Sequence, residues 1–349
     1  MKLLKYAMLS AVALACFSCS DDDDSTMKND LIKKTVAPAI AGEKIEFAYA
    51  MGAQEGQLGK AEAIASIAGA EGTNFELNSW FTARNKMVVN GVTYQAGENI
   101  PIQTVKEVST NGATSSATMM EKVDQHYMNP TVAFGTTQAP LIAATVRYAY
   151  VVPAEAKGKN ISFTFASTSS TGAKASYSTP SYPVSKMDMK RLIEMTNQEA
   201  CYFSIEEMKA YTKEEVATQN LANKIDFIYI YQDKLNDFDY KHSFVSPGTD
   251  PKFIAISGII PAGASNKTLM EKHANVRDAQ LKGDAPNVYI DDIDFQTLNL
   301  SEAVDYALTF SKDDGAFMKT ADGKYAAYVY VNNIDNSGKM TVSIKRYPL

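Results

Sequence analysis

The chain has 349 residues, with 40 acidic and 34 basic side chains and a formal net charge of −6. This length favours two domains of ordinary size. The acidic balance excludes a generally basic surface of the kind that binds nucleic acid or an anionic bilayer.

The chain begins with the layout of a secretory signal. Lys2 and Lys5 precede an apolar run from Tyr6 to Phe17, and a charged segment before a short hydrophobic one is typical of such signals. The twelve residues of this run would span about 18 Å as a helix, well short of the ~30 Å hydrocarbon core of a bilayer. We therefore predict a cleaved signal peptide over residues 1–18.

Cys19 lies between this apolar run and the four aspartates Asp21–Asp24. Like charges repel one another and do not pack, so the acidic run predicts a solvated, flexible tether over residues 19–41. A cysteine at such a junction is placed for processing, and we predict that Cys19 is acylated and becomes the first residue of the mature chain. Cys16 is the competing acylation site, and a secreted soluble protein with an odd cysteine is the alternative.

The sequence around Cys19 resembles a bacterial lipoprotein signal. The run Ser20–Asp24 resembles the signal that directs lipoproteins of Bacteroidota to the outer face of the outer membrane. The resemblance implies a protein that is anchored by lipid in the outer membrane and faces the cell exterior. Two or three acyl chains make a durable anchor, whereas a single chain holds a protein only marginally.

The rest of the chain consists of short apolar and aromatic runs broken by turn residues, which predicts mainly β structure. Lys44–Tyr49 alternates with period two, as a half-buried strand does. Asn90 and Gly91 lie between two apolar runs and tolerate positive φ, so we predict a hairpin there. Further strands are predicted at 144–152, 160–166, 325–331 and 340–347.

Helical signals are few. Ser204 with Glu207, and Thr212 with Glu215, have the spacing of a capping box, in which the hydroxyl and the carboxylate each accept a backbone N–H. Each pair predicts a short helix, because the apolar periodicity fades soon after it. A third helix is predicted from Ser301 to Ala307.

The two halves of the chain share a short sequence repeat, since "KIEFAY" from Lys44 is similar to "KIDFIY" from Lys224. We therefore predict two tandem β-sandwich-like domains with a few short helices, at residues 42–188 and 189–349. One duplicated scaffold with rearranged insertions is the alternative.

Several long stretches also carry a family resemblance. They are "ASIAGAEGTNFE" (65–76), "RYAYVVPAEAKGKNISFTFASTSSTGAKASYS" (147–178), "VSKMDM" (184–189), "CYFSI" (201–205) and "YIDDIDF" (289–295). Together they resemble a family of Bacteroidota lipoproteins known only as a domain of unknown function, over nearly the whole mature chain. The resemblance implies a surface-anchored, β-rich protein, and it supplies no catalytic residues.

No catalytic signature is found in the sequence, so we expect neither an enzyme nor a cofactor. G-x-S-x-G, P-loop and dinucleotide-binding glycine patterns are absent from their required contexts. His126, His242 and His273 are far apart and lack ligand spacing, so we expect ordinary surface residues. Cys201, followed by two aromatic residues, is predicted to be a buried small apolar residue rather than a nucleophile.

Two acidic segments are weighed as calcium sites. Asp291, Asp292 and Asp294 carry the hard oxygen ligands that calcium prefers. The segment 333–338 resembles the first half of a calcium loop, but its twelfth position is Ile344 rather than an acidic residue. We prefer a solvated strand edge or hairpin turn for both segments, and no metal site is predicted.

Trp80 is the only tryptophan and lies beside Phe81. An exposed aromatic ring there could stack on the apolar face of a sugar, so these two residues are the candidate ligand-stacking residues, with core packing as the alternative. The sequence thus predicts a non-catalytic surface lipoprotein that binds a ligand, in the leading hypothesis a glycan. A structural or adhesive module, or a partner subunit of an outer-membrane complex, is the alternative, and a carbohydrate hydrolase is the third hypothesis.

Overall fold

The computed structural model describes residues 26–76, 79–82, 86–89, 92–102, 120–124, 131–134, 142–282 and 288–349. These residues form two mainly antiparallel β-sandwiches, which confirms the predicted fold class. Cys19 and the acidic run after it lie outside the described residues.

The described part of the first half contains fifteen strands. They are β1 (Met27–Lys34), β2 (Lys44–Ala53), β3 (Leu58–Ala65), β4 (Asn74–Phe75), β5 (Ser79–Thr82), β6 (Met87–Val89), β7 (Val92–Tyr94), β8 (Asn99–Ile102), β9 (Met120–Asp124), β10 (Thr131–Phe134), β11 (Ala143–Val151), β12 (Asn160–Ile161), β13 (Phe163–Ser169), β14 (Lys174–Ser178) and β15 (Tyr182–Pro183). One sheet has the order β1-β2-β11-β5-β8, with β4 beside β11, and the other has the order β14-β13-β3-β10-β9. Two small ribbons, β6-β7 and β12-β15, complete this half.

The two sheets of the first half enclose an aromatic core. Phe47 of β2 packs against Phe163 and Phe165 of β13, with ring centroids 4.8 and 5.1 Å apart. Tyr49, two residues further along β2, stacks on Phe165 at 5.3 Å. Alternate residues of a strand face the same side, so "KIEFAY" directs both of its rings into the core. The predicted strand is confirmed and extends over the whole of β2.

Strand β1 corrects the prediction of a flexible tether over residues 19–41. Residues 27–34 pair antiparallel with β2, and Met27 is buried. Asn29 and Leu31 are also less exposed than the intervening Lys28 and Asp30. The prediction extended the solvated acidic run Asp21–Asp24 as far as residue 41, but an edge strand of an antiparallel sheet needs only one inward face, so charged residues on the outer face of β1 are compatible with an ordered strand.

The second half contains ten strands and three short α-helices among the described residues. The strands are β16 (Asp188–Thr196), β17 (Tyr202–Ser204), β18 (Lys209–Tyr211), β19 (Phe227–Leu235), β20 (Phe238–Val245), β21 (Leu269–His273), β22 (Tyr306–Phe310), β23 (Gly315–Lys319), β24 (Tyr325–Ile334) and β25 (Lys339–Pro348), and the helices are α1 (Lys213–Thr218), α2 (Ala279–Lys282) and α3 (Asp292–Thr297). The sheets have the orders β16-β25-β24-β23-β21 and β18-β17-β19-β20-β22. No helix in the described residues has both the length and the apolar character needed to cross a membrane.

A ladder of phenylalanine rings runs through the core of the second half. Phe203, Phe227, Phe244 and Phe310 come from the four neighbouring strands β17, β19, β20 and β22. Successive ring centroids lie 4.7, 4.5 and 4.5 Å apart. Cross-strand aromatic pairs of this kind stabilise a sheet beyond the area that they bury.

A third apolar cluster covers the outer face of the β16-β25-β24-β23-β21 sheet. Phe295 of α3 stacks on Tyr347 of β25 with a centroid distance of 5.6 Å, and Leu281 of α2 lies in the same cluster. Ile40, from the first half of the chain, is fully buried there together with Met187. The two sandwiches therefore share an apolar contact.

The local predictions were right where a short pattern determines the structure. The β6-β7 ribbon pairs Val89 with Val92, which confirms the hairpin, although Asn90 and Gly91 themselves lie outside the described residues. The strands predicted at 325–331 and 340–347 are confirmed as β24 and β25, which pair antiparallel as a hairpin. Helix α1 has the full capping box at Thr212.

Two predicted helices are wrong. Ser204 ends β17, and its Oγ accepts the Glu207 N–H at 3.3 Å within a tight turn that leads into β18. The same capping hydrogen bond stabilises a turn as well as a helix start. Ser301 lies in a turn, and Ala307 belongs to β22 rather than to a helix.

Candidate functional site

A groove of about 650 Å³ lies where the two sandwiches meet. We call it the junction groove. Its lining residues are 34–39 after β1, Ile45 at the start of β2, 182–185 around β15, Tyr289, and 291–293 at the start of α3. Ligand sites occur preferentially at such interfaces between domains, and this volume is in their usual range.

The groove is mostly apolar, with polar groups at its edge. Val36 and Ile293 are 67% and 65% exposed, so two large aliphatic side chains of the groove are open to solvent. The half-buried rings of Tyr182 and Tyr289 lie among the same lining residues, and Lys34 adds a positive charge. This combination of aromatic and aliphatic walls with a few polar groups is typical of a binding site.

Tyr182 is held by the core of the first sandwich. Its ring lies edge-on to Phe47 and Phe163, with centroids 5.8 and 5.7 Å apart. Its hydroxyl is buried and has no hydrogen-bond partner in the described part of the chain. Burial, and to a lesser extent the neighbouring Tyr177, raise the pKa of Tyr182, so the hydroxyl stays protonated.

The opposite wall is formed by the start of α3. Asp291 is the N-cap: its Oδ1 accepts the N–H groups of Ile293 and Asp294 at 2.8 and 3.4 Å. The Asp294 carboxylate accepts the Asp291 N–H in return, at 2.8 Å. This capping box corrects our interpretation of the segment as a strand edge or hairpin turn, because the aspartates start a helix.

Asp292 connects α3 to the segment between β15 and β16. Its Oδ1 accepts a hydrogen bond from the Ser185 hydroxyl, and its Oδ2 accepts the Lys186 N–H at 3.3 Å.

The other acidic segment, 333–338, forms a hairpin turn, as predicted. Asp335 accepts the N–H groups of Ser337 and Lys339 within this turn. The described residues contain no group of three or more His, Cys, Asp or Glu side chains that could hold a metal ion.

Further contacts fix the two halves relative to one another around the groove. Arg191 pairs with Glu43 through two parallel contacts of 3.0 and 2.7 Å. The Gln280 amide donates to the Pro38 carbonyl at 3.1 Å, and the Ser185 N–H donates to the Ala39 carbonyl at 2.8 Å. The groove is therefore preorganised, which lowers the ordering cost of binding.

Trp80 and Phe81 do not lie at this groove. They belong to β5, where Trp80 is opposite Thr145 of β11 and Phe81 is opposite Ile100 of β8. Ile45, which lines the groove, pairs with β11 five residues further along, and at ~3.4 Å per residue this is a separation of about 17 Å. The structure describes only the backbone of these two residues, so the stacking prediction stays a prediction.

His242 is 4% exposed, so the expectation of a surface histidine is wrong for this residue. Its Nδ1 lies 2.7 Å from the Tyr229 hydroxyl, and its ring stacks on Tyr231 at 4.5 Å. Burial lowers the pKa of His242, which favours the neutral ring. His273 is partly exposed beside Glu271, and His126 lies outside the described residues.

Cys201 is fully buried in the core of the second half, as predicted. Burial raises the pKa of its thiol to about 11, so the reactive thiolate is disfavoured at neutral pH. The sequence singles out Cys201 and the "YIDDIDF" segment, whereas Val36, Tyr182 and the junction groove as a whole become evident only in the fold. The only sequence signal for these lining residues is that a proline lies among apolar residues at 36–39 and again at 182–184.

Two family models match the chain in succession. The domain of unknown function DUF4466 matches residues 24–184, and the domain of unknown function DUF8576 matches residues 185–349. The crystal structure of a DUF4466 family protein from Parabacteroides merdae is 34% identical with a TM-score of 0.77, and the match covers 93% of this chain and 99% of that one.

Other solved structures are much less similar. The collagen binding subdomain of the Enterococcus faecalis surface protein ACE is 10% identical with a TM-score of 0.22, over 44% of this chain and 92% of that one. The major pilin subunit BcpA of Bacillus cereus is 8% identical with a TM-score of 0.25, over 91% of this chain and 66% of that one. Scores this low support no argument. No curated protein matches the chain.

Proposed function

The chain belongs to the DUF4466 family, and we propose that it is a non-catalytic lipoprotein that binds a glycan at the cell surface. The lipid anchor is Cys19, and the body outside the membrane is the pair of β-sandwiches. The binding site is the junction groove. The main support for this proposal is that one rigid groove is lined by tyrosine rings, by exposed aliphatic side chains and, at its edge, by polar groups.

A sugar suits this groove because it has two kinds of surface. The C–H face of a pyranose packs on aromatic rings such as those of Tyr182 and Tyr289. The hydroxyl groups at the edge of the sugar need polar partners, and the Lys34 ammonium offers one. The contacts around the groove already hold its walls in place, so the ligand need not order them.

The carboxylates of the groove support binding rather than hydrolysis. A glycosidase uses two free carboxyl groups on either side of the scissile bond. Asp291 caps α3, and Asp292 accepts hydrogen bonds from Ser185 and Lys186. Both carboxylates already have structural partners, so neither is free to act as an acid or a nucleophile without breaking the groove.

The binding proposal is tested with a glycan array, followed by calorimetry with any glycan that binds. We expect Tyr289→Ala to weaken binding at least tenfold, because it removes an aromatic wall. The matched control is Val288→Ala, since Val288 is 53% exposed, adjacent in sequence and outside the groove lining. Trp80→Ala belongs in the same series, because Trp80 is the stacking residue proposed from the sequence.

Three results would overturn the groove as the binding site. They are the absence of saturable glycan binding, equal affinities of the Tyr289→Ala and control variants, and loss of binding only in Trp80→Ala. Co-purification with another outer-membrane protein, without any sugar signal, would favour a partner subunit instead. Turnover of a polysaccharide by the purified protein would contradict the non-catalytic part of the proposal.

The anchor is tested separately, on the native protein from cells. Mass spectrometry of the mature N-terminus should find fatty acyl groups on Cys19, and Cys19→Ala should release the protein from the membrane fraction. Protease added to intact cells should digest the wild-type protein if it faces the exterior. An unacylated terminus, acylation at Cys16 or protection from protease would each contradict a part of this account.

A further inference from the structure

A second cavity, of about 570 Å³, lies at the opposite end of β1 from the junction groove. We call it the cationic trough. Its lining residues are 27–29 of β1, Lys60 and Glu62 of β3, 166–168 of β13 and 174–176 of β14. Met27 lines the trough and Lys34 lines the junction groove, and seven residues of strand separate them by about 23 Å. A ligand in one cavity therefore leaves the other free.

The trough has a positive charge on a protein that is acidic overall. Among the described residues, Lys28, Lys60 and Lys174 line it together with one carboxylate, that of Glu62, whereas the whole chain has a net charge of −6. Lys60 lies 2.5 Å from the Glu62 carboxylate. Lys28 and Lys174 are exposed and form no ion pair within the described part of the chain. Two lysines are thus available to an anion.

The sheet register sets the spacing of the lysines. Thr168 of β13 is directly opposite Lys60 of β3 on one side and Lys174 of β14 on the other. Neighbouring strands are ~4.8 Å apart, so the Cα atoms of Lys60 and Lys174 are separated by about 10 Å, with the Thr168 hydroxyl between them. The lysines are thus spread along the trough rather than gathered at one point, which suits an extended ligand with several anionic groups.

A chain of hydrogen bonds lies on the core side of β13, beneath the trough. The Asn29 amide donates to the Tyr49 hydroxyl at 2.8 Å, and that hydroxyl donates to Ser167 Oγ at 3.2 Å. Ser167 is 2% exposed and lines the trough. Because neighbouring residues of a strand point to opposite faces, the Ser167 side chain faces the core with Tyr49, and the next residue, Thr168, presents its hydroxyl to the trough. Burial raises the pKa of Tyr49, which keeps its hydroxyl a donor to Ser167.

We propose that the cationic trough binds an anionic saccharide, with the sulfate or carboxylate groups of the ligand between Lys28 and Lys174 and a hydroxyl of the ligand on Thr168. The hydroxyl and amide lining distinguishes this cavity from a site for an acyl chain, which needs apolar walls. This site is independent of glycan binding in the junction groove, so either proposal stands if the other fails.

The test uses a sulfated heparin-derived tetrasaccharide as the probe, measured by calorimetry on the mature full chain. Its chemically desulfated counterpart and a polyphosphate of similar charge are the comparison ligands. We expect the sulfated probe to bind, the desulfated probe to bind at least tenfold more weakly, and the affinity to fall as salt screens the lysines. The double variant Lys28→Gln/Lys174→Gln should lose at least tenfold in affinity for the sulfated probe.

The matched control is Lys234→Gln/Lys339→Gln, which removes the same charge from two exposed lysines outside the trough. It should bind the sulfated probe as the wild type does. Tyr289→Ala, in the junction groove, should also leave this binding unchanged. The proposal is overturned if the sulfated probe does not bind, if both double variants lose equal affinity, or if polyphosphate binds as tightly as the saccharide through the same lysines.

Discussion

Tyr148 and Tyr150 of β11 differ chiefly in whether the side-chain hydroxyl has a hydrogen-bond partner. Tyr148 and Tyr150 are both fully buried on the same face of the strand, and both pack against Phe163. The Tyr150 hydroxyl donates to the Ile67 carbonyl at 2.9 Å, whereas the Tyr148 hydroxyl has no partner in the described part of the chain. A buried polar group without a partner costs free energy, so these residues form a natural comparison.

We expect opposite effects on stability when the two hydroxyls are removed. Tyr148→Phe should raise the free energy of unfolding, by about 1 kcal/mol, because it removes an unsatisfied buried group. Tyr150→Phe should lower it by about 1 kcal/mol, because it leaves the Ile67 carbonyl without its donor. Denaturant titration of both variants measures the difference. Equal destabilisation by the two substitutions would show that the Tyr148 hydroxyl has a partner in solution.

Asp226 makes stability depend on pH. Burial raises its pKa to about 7, although the Ile205 N–H and the Thr268 hydroxyl both donate to the carboxylate. The folded protein therefore holds this proton up to about pH 7, whereas the unfolded chain loses it near the ordinary value of 3.8. The folded state binds more protons in this interval, so the contribution of Asp226 to stability is lost as the pH rises from about 4 through 7.

Asp226→Asn should remove this dependence. Relative to the wild type, the variant should become steadily more stable between about pH 4 and 7, as measured by denaturant titration at several pH values. Asp250→Asn is the matched control, because the backbone hydrogen bond from Lys252 is the main cause of its lowered pKa, so this carboxylate stays ionised over the interval. Its effect should be constant over the same interval. Parallel pH profiles of Asp226→Asn and the wild type would refute the assignment.

At the scale of elements, the two helices α1 and α3 begin with the same kind of contact. Their capping boxes both satisfy the N–H groups that a helix leaves free at its start. Helix α3 also closes the outer apolar cluster, through the contact of Phe295 with Tyr347. The cap at Asp291 therefore supports both the cluster and one wall of the junction groove.

Loss of that cap should have a measurable cost. Asp291→Ala should lower the free energy of unfolding by about 1 kcal/mol, the typical effect of removing an N-cap side chain. Asp30→Ala is the control, since Asp30 is an exposed aspartate on β1 away from any helix. The comparison uses thermal or denaturant unfolding, and equal stability of the two variants would contradict the role of the cap.

A buried ion pair holds the segment around α2 to the sheet below. Lys345 of β25 and Asp278 are both fully buried, and Lys345 Nζ lies 2.6 Å from Asp278 Oδ2. The ammonium group also donates to the Gln280 side chain and the Ile290 carbonyl, at 2.9 and 2.7 Å. All three ammonium protons have acceptors, which is the condition under which a buried charge is tolerated.

At the scale of the whole molecule, the two sandwiches are connected by Ile40. This side chain leaves the first half and is fully buried in the outer cluster of the second, beside Met187. The Arg191–Glu43 pair reinforces the same junction. Because exposed ion pairs contribute little, the apolar contact is the stronger of the two connections.

Ile40→Ala should therefore destabilise the protein by about 2–4 kcal/mol, as expected for a large-to-small change in a well-packed site. It should also separate the unfolding of the two sandwiches into two calorimetric transitions. Ile64→Ala, at an exposed isoleucine of β3, is the control and should have little effect. A single unshifted transition in Ile40→Ala would show that the sandwiches are coupled by other contacts.

Much of the fold follows from local patterns along the chain. Period-two alternation predicted β2, apolar and aromatic runs bounded by turn residues predicted β11, a turn dipeptide predicted the β6-β7 hairpin, and the Thr212 capping box predicted α1. Each of these signals acts through residues that are neighbours in sequence, so no knowledge of the rest of the molecule is needed. The resemblance to a Bacteroidota family of unknown function was also readable from the sequence and is supported by the Parabacteroides structure.

The tertiary structure alone decided where residues distant in sequence meet. The junction groove combines Val36, Tyr182 and Ile293, and the cationic trough combines Lys28, Lys60 and Lys174. Strand pairing and sheet order bring these residues together. Both depend on the packing of the whole chain rather than on any short segment. For the same reason, His242 is buried although histidine is a polar residue, and the charged segment of β1 is an ordered edge strand.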